Sequence, residues 1–121
     1  MRAQLTKEFR FEAAHTMPSL PAGHKCRQMH GHSFKVDISV EGPVDEEIGW
    51  VYDHKQISDA MNPLLELLDH GYLNDIPGLE SPTIERMAGW FWRKLEPDLP
   101  GICEIVIYET PTARCVFRGE F

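Results

Sequence analysis

The sequence lacks several features that would each assign it to a broad class of protein. Its three cysteines, Cys26, Cys103 and Cys115, are too few and too odd in number for the disulfide framework of a small secreted domain. It has no apolar run of about 18 or more residues, so no membrane-spanning helix is expected. Residues 1–11 carry charges of both signs, unlike a signal peptide. We therefore expect reduced thiols and a cytoplasmic location.

Basic residues are also scarce. The chain has 12 Lys and Arg against 19 Asp and Glu, which gives a formal net charge of −7. Nucleic-acid binding depends on surplus Lys and Arg, so neither DNA nor RNA is an expected partner. A chain of 121 residues suits one domain with a modest core and is too short for two. No repeat or low-complexity segment interrupts it, so we expect a single domain over residues 1–121.

Periodic patterns predict strands near both ends of the chain and two helices between them. Polar and apolar residues alternate, as in half-buried strands, at 6–13, 34–40, 105–108 and 115–118. Helical spacing predicts one helix ending near Leu68, capped by Asp53 and bent or restarted at Pro63, and a second over 84–95. The order ββααββ favours an α+β fold, a four-stranded antiparallel sheet with both helices on one face.

Three histidines fall at the matching ends of the first two predicted strands. His30 and His32 precede the second strand two residues apart, so their side chains point to the same side. His15 continues the alternation of the first strand, and antiparallel pairing would bring it to the same spot. Three imidazoles leave one position of a tetrahedral Zn²⁺ site open, as in catalytic sites. The alternative is that these histidines occupy a polar turn and a strand end without metal.

Zinc is preferred over iron on one argument from the sequence. No carboxylate is evidently placed to complete a facial triad with two of the histidines. The structure tests this expectation directly.

Cys26 lies in a polar loop four residues before His30. A nearby divalent ion favours the thiolate form of a thiol, which would make this side chain a usable base or nucleophile. Two alternatives remain open at this point. Cys26 can be a passive loop thiol, or it can be the fourth ligand of a closed structural site, in which case the chain would be a non-enzymatic zinc module.

Three further side chains are candidates for chemistry. Asp69 and His70 close the first helix, where the carboxylate can orient the imidazole for acid–base work, or the imidazole can simply meet the helix dipole. Glu109 follows an apolar strand. A carboxylate there can accept two parallel hydrogen bonds from a flat, guanidine-like heterocycle, although an exposed strand-end Glu is the commoner case.

Several separate motifs, in one order along nearly the whole chain, resemble the 6-pyruvoyltetrahydropterin synthase family. They are Phe11 to His15, Cys26 with His30-Gly31-His32, Asp69-His70, Pro82-Thr83-x-Glu85 and Glu109-Thr110. Residues 23–26, 30–34, 68–70 and 72–80 resemble more closely the branch that forms 6-carboxytetrahydropterin in queuosine biosynthesis.

The resemblance implies the tunnelling fold, in which the four-stranded sheets of neighbouring subunits join into a barrel. The implied assembly is a homo-oligomer, a trimer that pairs into a hexamer, with the active site between subunits. The implied substrate is a small-molecule pterin, 7,8-dihydroneopterin triphosphate, and the products are 6-carboxytetrahydropterin, acetaldehyde and triphosphate. A 6-pyruvoyl pterin is the alternative product.

The resemblance also assigns roles to individual side chains. In the implied site Cys26 accepts a proton and Glu109 anchors the pterin ring. Asp69 and His70 complete the catalytic relay. The implied zinc ligands are His15, His30 and His32.

Overall fold

The computed structural model describes residues 1–121 as one five-stranded sheet with two α-helices. In chain order the elements are β1 (Arg2–His15), β2 (His30–Pro43), α1 (His54–Leu68), β3 (Gly71–Tyr72), α2 (Ile84–Leu95), β4 (Ile102–Thr110) and β5 (Ala113–Phe117). The strand order across the sheet is β3-β1-β2-β4-β5. The predicted α+β class is confirmed.

The predicted count of four strands is wrong, because β3 adds a fifth. This strand has two residues and pairs parallel to β1, with Ala13 opposite Gly71 and Ala14 opposite Tyr72. Two residues carry no periodic signal, so alternation cannot reveal such a strand. The order of elements is therefore ββαβαββ, and β3 forms the sheet edge next to β1.

β1 and β2 form the longest pairing of the sheet, antiparallel and in register over the full length of β1. Alternation had predicted β1 only over residues 6–13. Phe11 lies opposite Phe34, and their rings stack with centroids 5.1 Å apart. Continuing this register to the strand ends places His15 opposite His30.

Both helices pack on one face of the sheet, as predicted. Ile57 and Met61 of α1 join Phe91 and Leu95 of α2 in a single apolar core with the inward side chains of β1, β2 and β4. α1 continues through Pro63 without restarting, because buried residues on both sides of the proline hold the helix against the sheet. Packing thus outweighs one missing backbone hydrogen bond.

Local capping fixes where each helix begins. The Asp53 side chain accepts a hydrogen bond from the backbone N–H of Lys55, as a helix N-cap does. The Thr83 hydroxyl accepts one from Arg86 at the start of α2. No helix combines the length and apolarity needed to cross a membrane.

Candidate metal centre and active site

The paired ends of β1 and β2 bring three histidines together on the helix-covered face of the sheet. His15 lies opposite His30 in the ladder, and His32 follows two residues later on the same face. The ring centroids are 4.6 Å apart for His15 and His30, 5.2 Å for His15 and His32, and 5.0 Å for His30 and His32. The convergence predicted from the sequence is therefore present.

Two backbone carbonyls orient two of these rings. The Nδ1 atom of His15 lies 3.1 Å from the carbonyl oxygen of Pro82, and that of His30 lies 2.8 Å from the carbonyl oxygen of Gln28. A carbonyl oxygen only accepts hydrogen bonds, so each Nδ1 carries the proton. Each neutral ring therefore keeps its lone pair on Nε2, which is the arrangement of metal-binding histidines.

The Nε2 atoms of His15 and His32 are buried and have no hydrogen-bond partner. A buried polar atom without a partner is costly, so such atoms call for an explanation. Burial lowers the pKa of His15 and so favours the neutral imidazole. The hydrogen bond to the Pro82 carbonyl opposes this shift only in part. Neutral imidazoles with inward lone pairs fit a metal ion.

Glu109 at the end of β4 completes the cluster. Its Oε1 atom lies 3.4 Å from Nε2 of His15 and 3.2 Å from Nε2 of His32. One donor atom from each of the four residues, His15, His30, His32 and Glu109, lies within 4.8 Å of the others, so the group could hold a metal ion. The expectation that no carboxylate is placed beside these histidines is wrong.

Glu109 lies at a β-bulge near the end of β4. The β4–β5 register shifts between Tyr108, which faces Arg114, and Thr110, which faces Ala113, so Glu109 is the extra residue on β4. Bulges bend a strand and redirect side chains beside active sites. Glu109 follows the buried Ile107 by two residues, so alternation along β4 turns it to the same face as the histidines. The sequence did not reveal its approach to them because the register of β4 against β2 has no local signal.

Cys26 is held close to the histidines by the loop that joins β1 to β2. It lies in a 3₁₀ turn, Lys25–Arg27, and its carbonyl oxygen accepts a 2.9 Å hydrogen bond from the backbone N–H of Met17. Its own N–H donates to Nδ1 of His24. His24 itself is exposed, and so is His54.

Cys26, His30 and Glu109 line one cavity of about 810 Å³. That volume is in the range of small-molecule sites. Three residues with hydroxyl groups also line it: Ser81 and Thr83 from the segment before α2, and Thr112 from the β4–β5 turn. The cavity therefore joins a thiol, an imidazole and a carboxylate in a setting with several neutral hydrogen-bonding groups.

Asp69 and His70 do not line this cavity. They follow α1, and His70 lines a separate groove that it shares with His32. Asp69 accepts a 2.8 Å hydrogen bond from the backbone N–H of Glu12, which lowers the pKa of its carboxyl together with the hydrogen bond to His70. His70 has φ of 59° and an exposed side chain. Within one chain, then, His70 and Cys26 line different surfaces.

Sequence reasoning missed the groups that hold the site in place. The Pro82 and Gln28 carbonyls are backbone groups and have no side-chain signature. Asn74 lies in the motif over residues 72–80, but the motif does not indicate what its side chain does. Its side chain accepts from the N–H of Thr16 and donates to the Thr16 carbonyl, which fixes the chain directly after His15.

Comparison with known proteins identifies the family of the chain. The family model described as 6-pyruvoyl tetrahydropterin synthase matches residues 4–120. The 6-carboxy-5,6,7,8-tetrahydropterin synthase of Synechocystis sp. is 42% identical over 113 residues, which are 88% of this chain and 86% of that protein. The 6-pyruvoyl tetrahydrobiopterin synthase of Dictyostelium discoideum is 33% identical over 79% of this chain and 75% of its own length.

The fold is also that of a solved relative. The structure of Caenorhabditis elegans 6-pyruvoyl tetrahydropterin synthase superposes with a TM-score of 0.91 at 24% identity, over 99% of this chain and 97% of that one. At this identity the likeness concerns the fold alone. From the match of the family model to nearly every residue, the chain belongs to the 6-pyruvoyl tetrahydropterin synthase family.

Proposed function

We propose that the protein is a zinc-dependent lyase that converts 7,8-dihydroneopterin triphosphate and water into 6-carboxytetrahydropterin, acetaldehyde and triphosphate, a step of queuosine biosynthesis. The observation that carries the proposal is the four-residue cluster of His15, His30, His32 and Glu109 beside the cavity that Cys26 lines. The 42% identity to a relative named 6-carboxy-5,6,7,8-tetrahydropterin synthase supports this reaction within the family.

In this proposal His15, His30 and His32 hold the zinc ion. When bound, zinc supplies Lewis-acid polarisation of the hydroxyl groups on the pterin side chain. The Pro82 and Gln28 carbonyls keep two of the rings in the tautomer that presents Nε2. They therefore maintain a preformed site that needs no reorientation when the ion arrives.

Cys26 is the proposed proton acceptor. The turn at Lys25–Arg27 and the hydrogen bond from Met17 fix its backbone, so the thiol stays at the cavity wall near His30. A positioned base contributes roughly 10²–10⁴-fold to a proton transfer. The proton removed is the carbon-bound one next to the side-chain hydroxyl.

Glu109 is the proposed anchor of the pterin ring. Its carboxylate can accept two parallel hydrogen bonds from the ring N–H and the exocyclic amino group. Its side chain is 26% exposed, so it can reach the cavity. Fixing the ring there would hold the reacting side chain between Cys26 and the histidines.

Asp69 and His70 are the proposed relay, acting from a neighbouring subunit. In one chain His70 lines a groove separate from the Cys26 cavity, which suits a residue that completes the site of another copy. A homo-oligomer, proposed as a trimer that pairs into a hexamer, would bring the two surfaces together. The Asp69 carboxylate, held by the Glu12 N–H, would orient the His70 ring.

Two alternatives differ in what they require. A 6-pyruvoyl product fits the same side chains, and the relative from Dictyostelium discoideum carries that name. A structural zinc module would need Cys26 as the fourth ligand, whereas the carboxylate of Glu109 is the fourth member of the cluster. The module is therefore disfavoured, and the choice of product is the question for experiment.

The deciding experiment incubates the zinc-loaded protein with 7,8-dihydroneopterin triphosphate and follows acetaldehyde and the pterin product together. The proposal expects acetaldehyde in step with a 6-carboxy pterin. A 6-pyruvoyl pterin without acetaldehyde would reject the proposed reaction and favour the alternative. Protein without added metal is the control.

A further inference from the structure

We propose that Glu109 is the fourth metal ligand of the substrate-free protein and that the pterin must draw this carboxylate off the metal in order to bind. The inference rests on the proposed metal site and goes beyond it. It gives one side chain two successive positions, the first at the histidines and the second at the ring of the substrate.

The first argument is a distance. In a tetrahedral site with ligand bonds of roughly 2.0–2.1 Å, two neighbouring ligand atoms lie about 3.3–3.4 Å apart. Oε1 of Glu109 lies 3.4 Å from Nε2 of His15 and 3.2 Å from Nε2 of His32. These separations are those of an edge of such a site, with the carboxylate oxygen at the vertex that three histidines would leave open.

The second argument is that these contacts are not hydrogen bonds. Nε2 of His15 and Nε2 of His32 are both unsatisfied although the carboxylate oxygen is close. For His15 the reason is chemical, because Nδ1 already carries the proton and Nε2 has only a lone pair to offer. A lone pair facing a carboxylate is repulsive unless a cation lies between them.

The third argument is that one carboxylate cannot bind the metal and accept both hydrogen bonds from the pterin ring at the same time. Two parallel hydrogen bonds from the pterin ring would use both oxygens of the carboxylate, whereas Oε1 is the oxygen that lies beside His15 and His32. The bulge at Glu109 frees this residue from the β4–β5 ladder. The side chain is partly exposed and also lines the cavity, so both positions are within its reach.

The consequence is a gate on the metal. Before substrate arrives, the carboxylate blocks the position at which water or small anions would bind. Hydrogen bonds from the pterin ring to the carboxylate then replace the bond between the carboxylate and the metal. Only a ligand with a guanidine-like edge can open the site in this way.

Cobalt(II) substitution provides a readout that does not depend on turnover. The full-length protein is loaded with Co²⁺, and its visible ligand-field spectrum is compared with those of Glu109→Ala and Glu109→Gln. Glu85→Gln is the matched control, because Glu85 lines the same cavity but is not in the cluster. We expect both Glu109 variants to change the spectrum and to bind Co²⁺ about tenfold or more weakly, and Glu85→Gln to change neither.

The outcomes separate this inference from the proposed function. Stoichiometric Co²⁺ with the same spectrum in wild type and both Glu109 variants would overturn the inference and leave the three-histidine site standing. Equal changes in the Glu85 and Glu109 variants would also overturn it, because a general charge effect would then suffice. A wild-type protein that holds no Co²⁺ would overturn the metal site and the inference together.

A small anion tests the gate itself. Azide titrated into the Co²⁺ proteins should bind Glu109→Ala at least about tenfold more tightly than wild type, since the alanine leaves a vertex open. Neopterin, which has the ring and the side-chain hydroxyls but no phosphate, should change the wild-type spectrum. Equal azide affinity in the two proteins, or no spectral response to saturating neopterin, would contradict the gate.

Discussion

The Nδ1–H group of His15 donates to the carbonyl oxygen of Pro82 across 3.1 Å, and this bond decides which nitrogen of a buried imidazole faces the cluster. The residue after Pro82 is Thr83, the N-cap of α2. The start of this helix therefore sets the orientation of a ring at the far end of β1. In a group of side chains that could hold a metal ion, the Nε2 atom of His15 is thus oriented before any ion binds.

The first prediction concerns the metal ligands. His32→Ala should bind Zn²⁺ more weakly by about 100-fold or more, since losing a ligand should cost at least as much as losing a partner of a ligand. The apo protein should fold with its free energy of unfolding changed by about 1 kcal/mol or less, because the core lies elsewhere. Competition with a chromophoric chelator measures the affinity.

His54→Ala is the matched control for this variant, since His54 is exposed at the start of α1. Its zinc affinity should equal that of wild type. Full zinc occupancy of His32→Ala under competing chelator would remove His32 from the site.

The second prediction separates a catalytic thiol from a structural one. Cys26→Ala should keep its zinc and its free energy of unfolding and lose roughly 10²–10⁴-fold in turnover. A closed structural site would instead lose both metal and stability. Cys103→Ala, whose thiol donates to the Ser39 carbonyl in the sheet, is the control and should retain both metal and turnover. Wild-type turnover in Cys26→Ala would reject the proposed mechanism.

The parts of the fold that the sequence predicted are those governed by a repeating pattern. Alternation placed β1 and β2, and because side chains two apart share a face, the parity of His15, His30 and His32 was enough to bring them together. Helical spacing placed both helices. Packing then outweighed one local rule, since α1 continues through Pro63.

The missed parts depend on features without a repeating pattern. β3 is two residues long, and the approach of Glu109 to the histidines depends on the register of β4 against β2, which alternation within one strand does not fix. The Pro82 carbonyl acts through the backbone, so its residue type carries no signal. In the proposed function, the relation of Asp69 and His70 to Cys26 depends on contacts between chains, which one sequence does not encode as a local pattern.

The third prediction concerns pH. The hydrogen bond from the Glu12 N–H, with that to His70, lowers the pKa of Asp69 from the ordinary value of 3.8. A carboxyl whose pKa is lower in the folded state stabilises that state above its unfolded pKa, and the stabilisation is lost as pH falls through the folded pKa. Asp69→Ala should therefore unfold more readily than wild type at pH 6, and the difference should shrink steadily below pH 3.8.

Urea unfolding at a series of pH values measures this difference. Asp75→Ala removes an exposed carboxylate from the 3₁₀ turn Leu73–Asp75 and is the control. A wild-type minus Asp69→Ala difference that stays constant from pH 6 to below the native pKa would show that the Glu12 contact does not depend on the ionised carboxylate.

The last prediction tests whether the active site lies between subunits. Cys26 lines one cavity and His70 lines another groove of the same chain, so we expect a complete site to need a second copy that supplies the missing half. Cys26→Ala and His70→Ala should each be inactive alone. In a mixed oligomer some interfaces combine the intact Cys26 of one chain with the intact His70 of the other, about a quarter of them if the chains mix at random in equal amounts. Co-expressing the two variants with different affinity tags, and isolating oligomers that carry both, should therefore restore a corresponding fraction of wild-type turnover, whereas mixing the separately purified variants without subunit exchange should restore none.

A double variant, Cys26→Ala with His70→Ala, co-expressed with wild type controls for simple dilution, because its mixed interfaces pair an intact residue only with an altered one. No recovery in doubly tagged oligomers would place Cys26, Asp69 and His70 in a site within one chain, and would require the loop that carries Cys26 to move toward the end of α1.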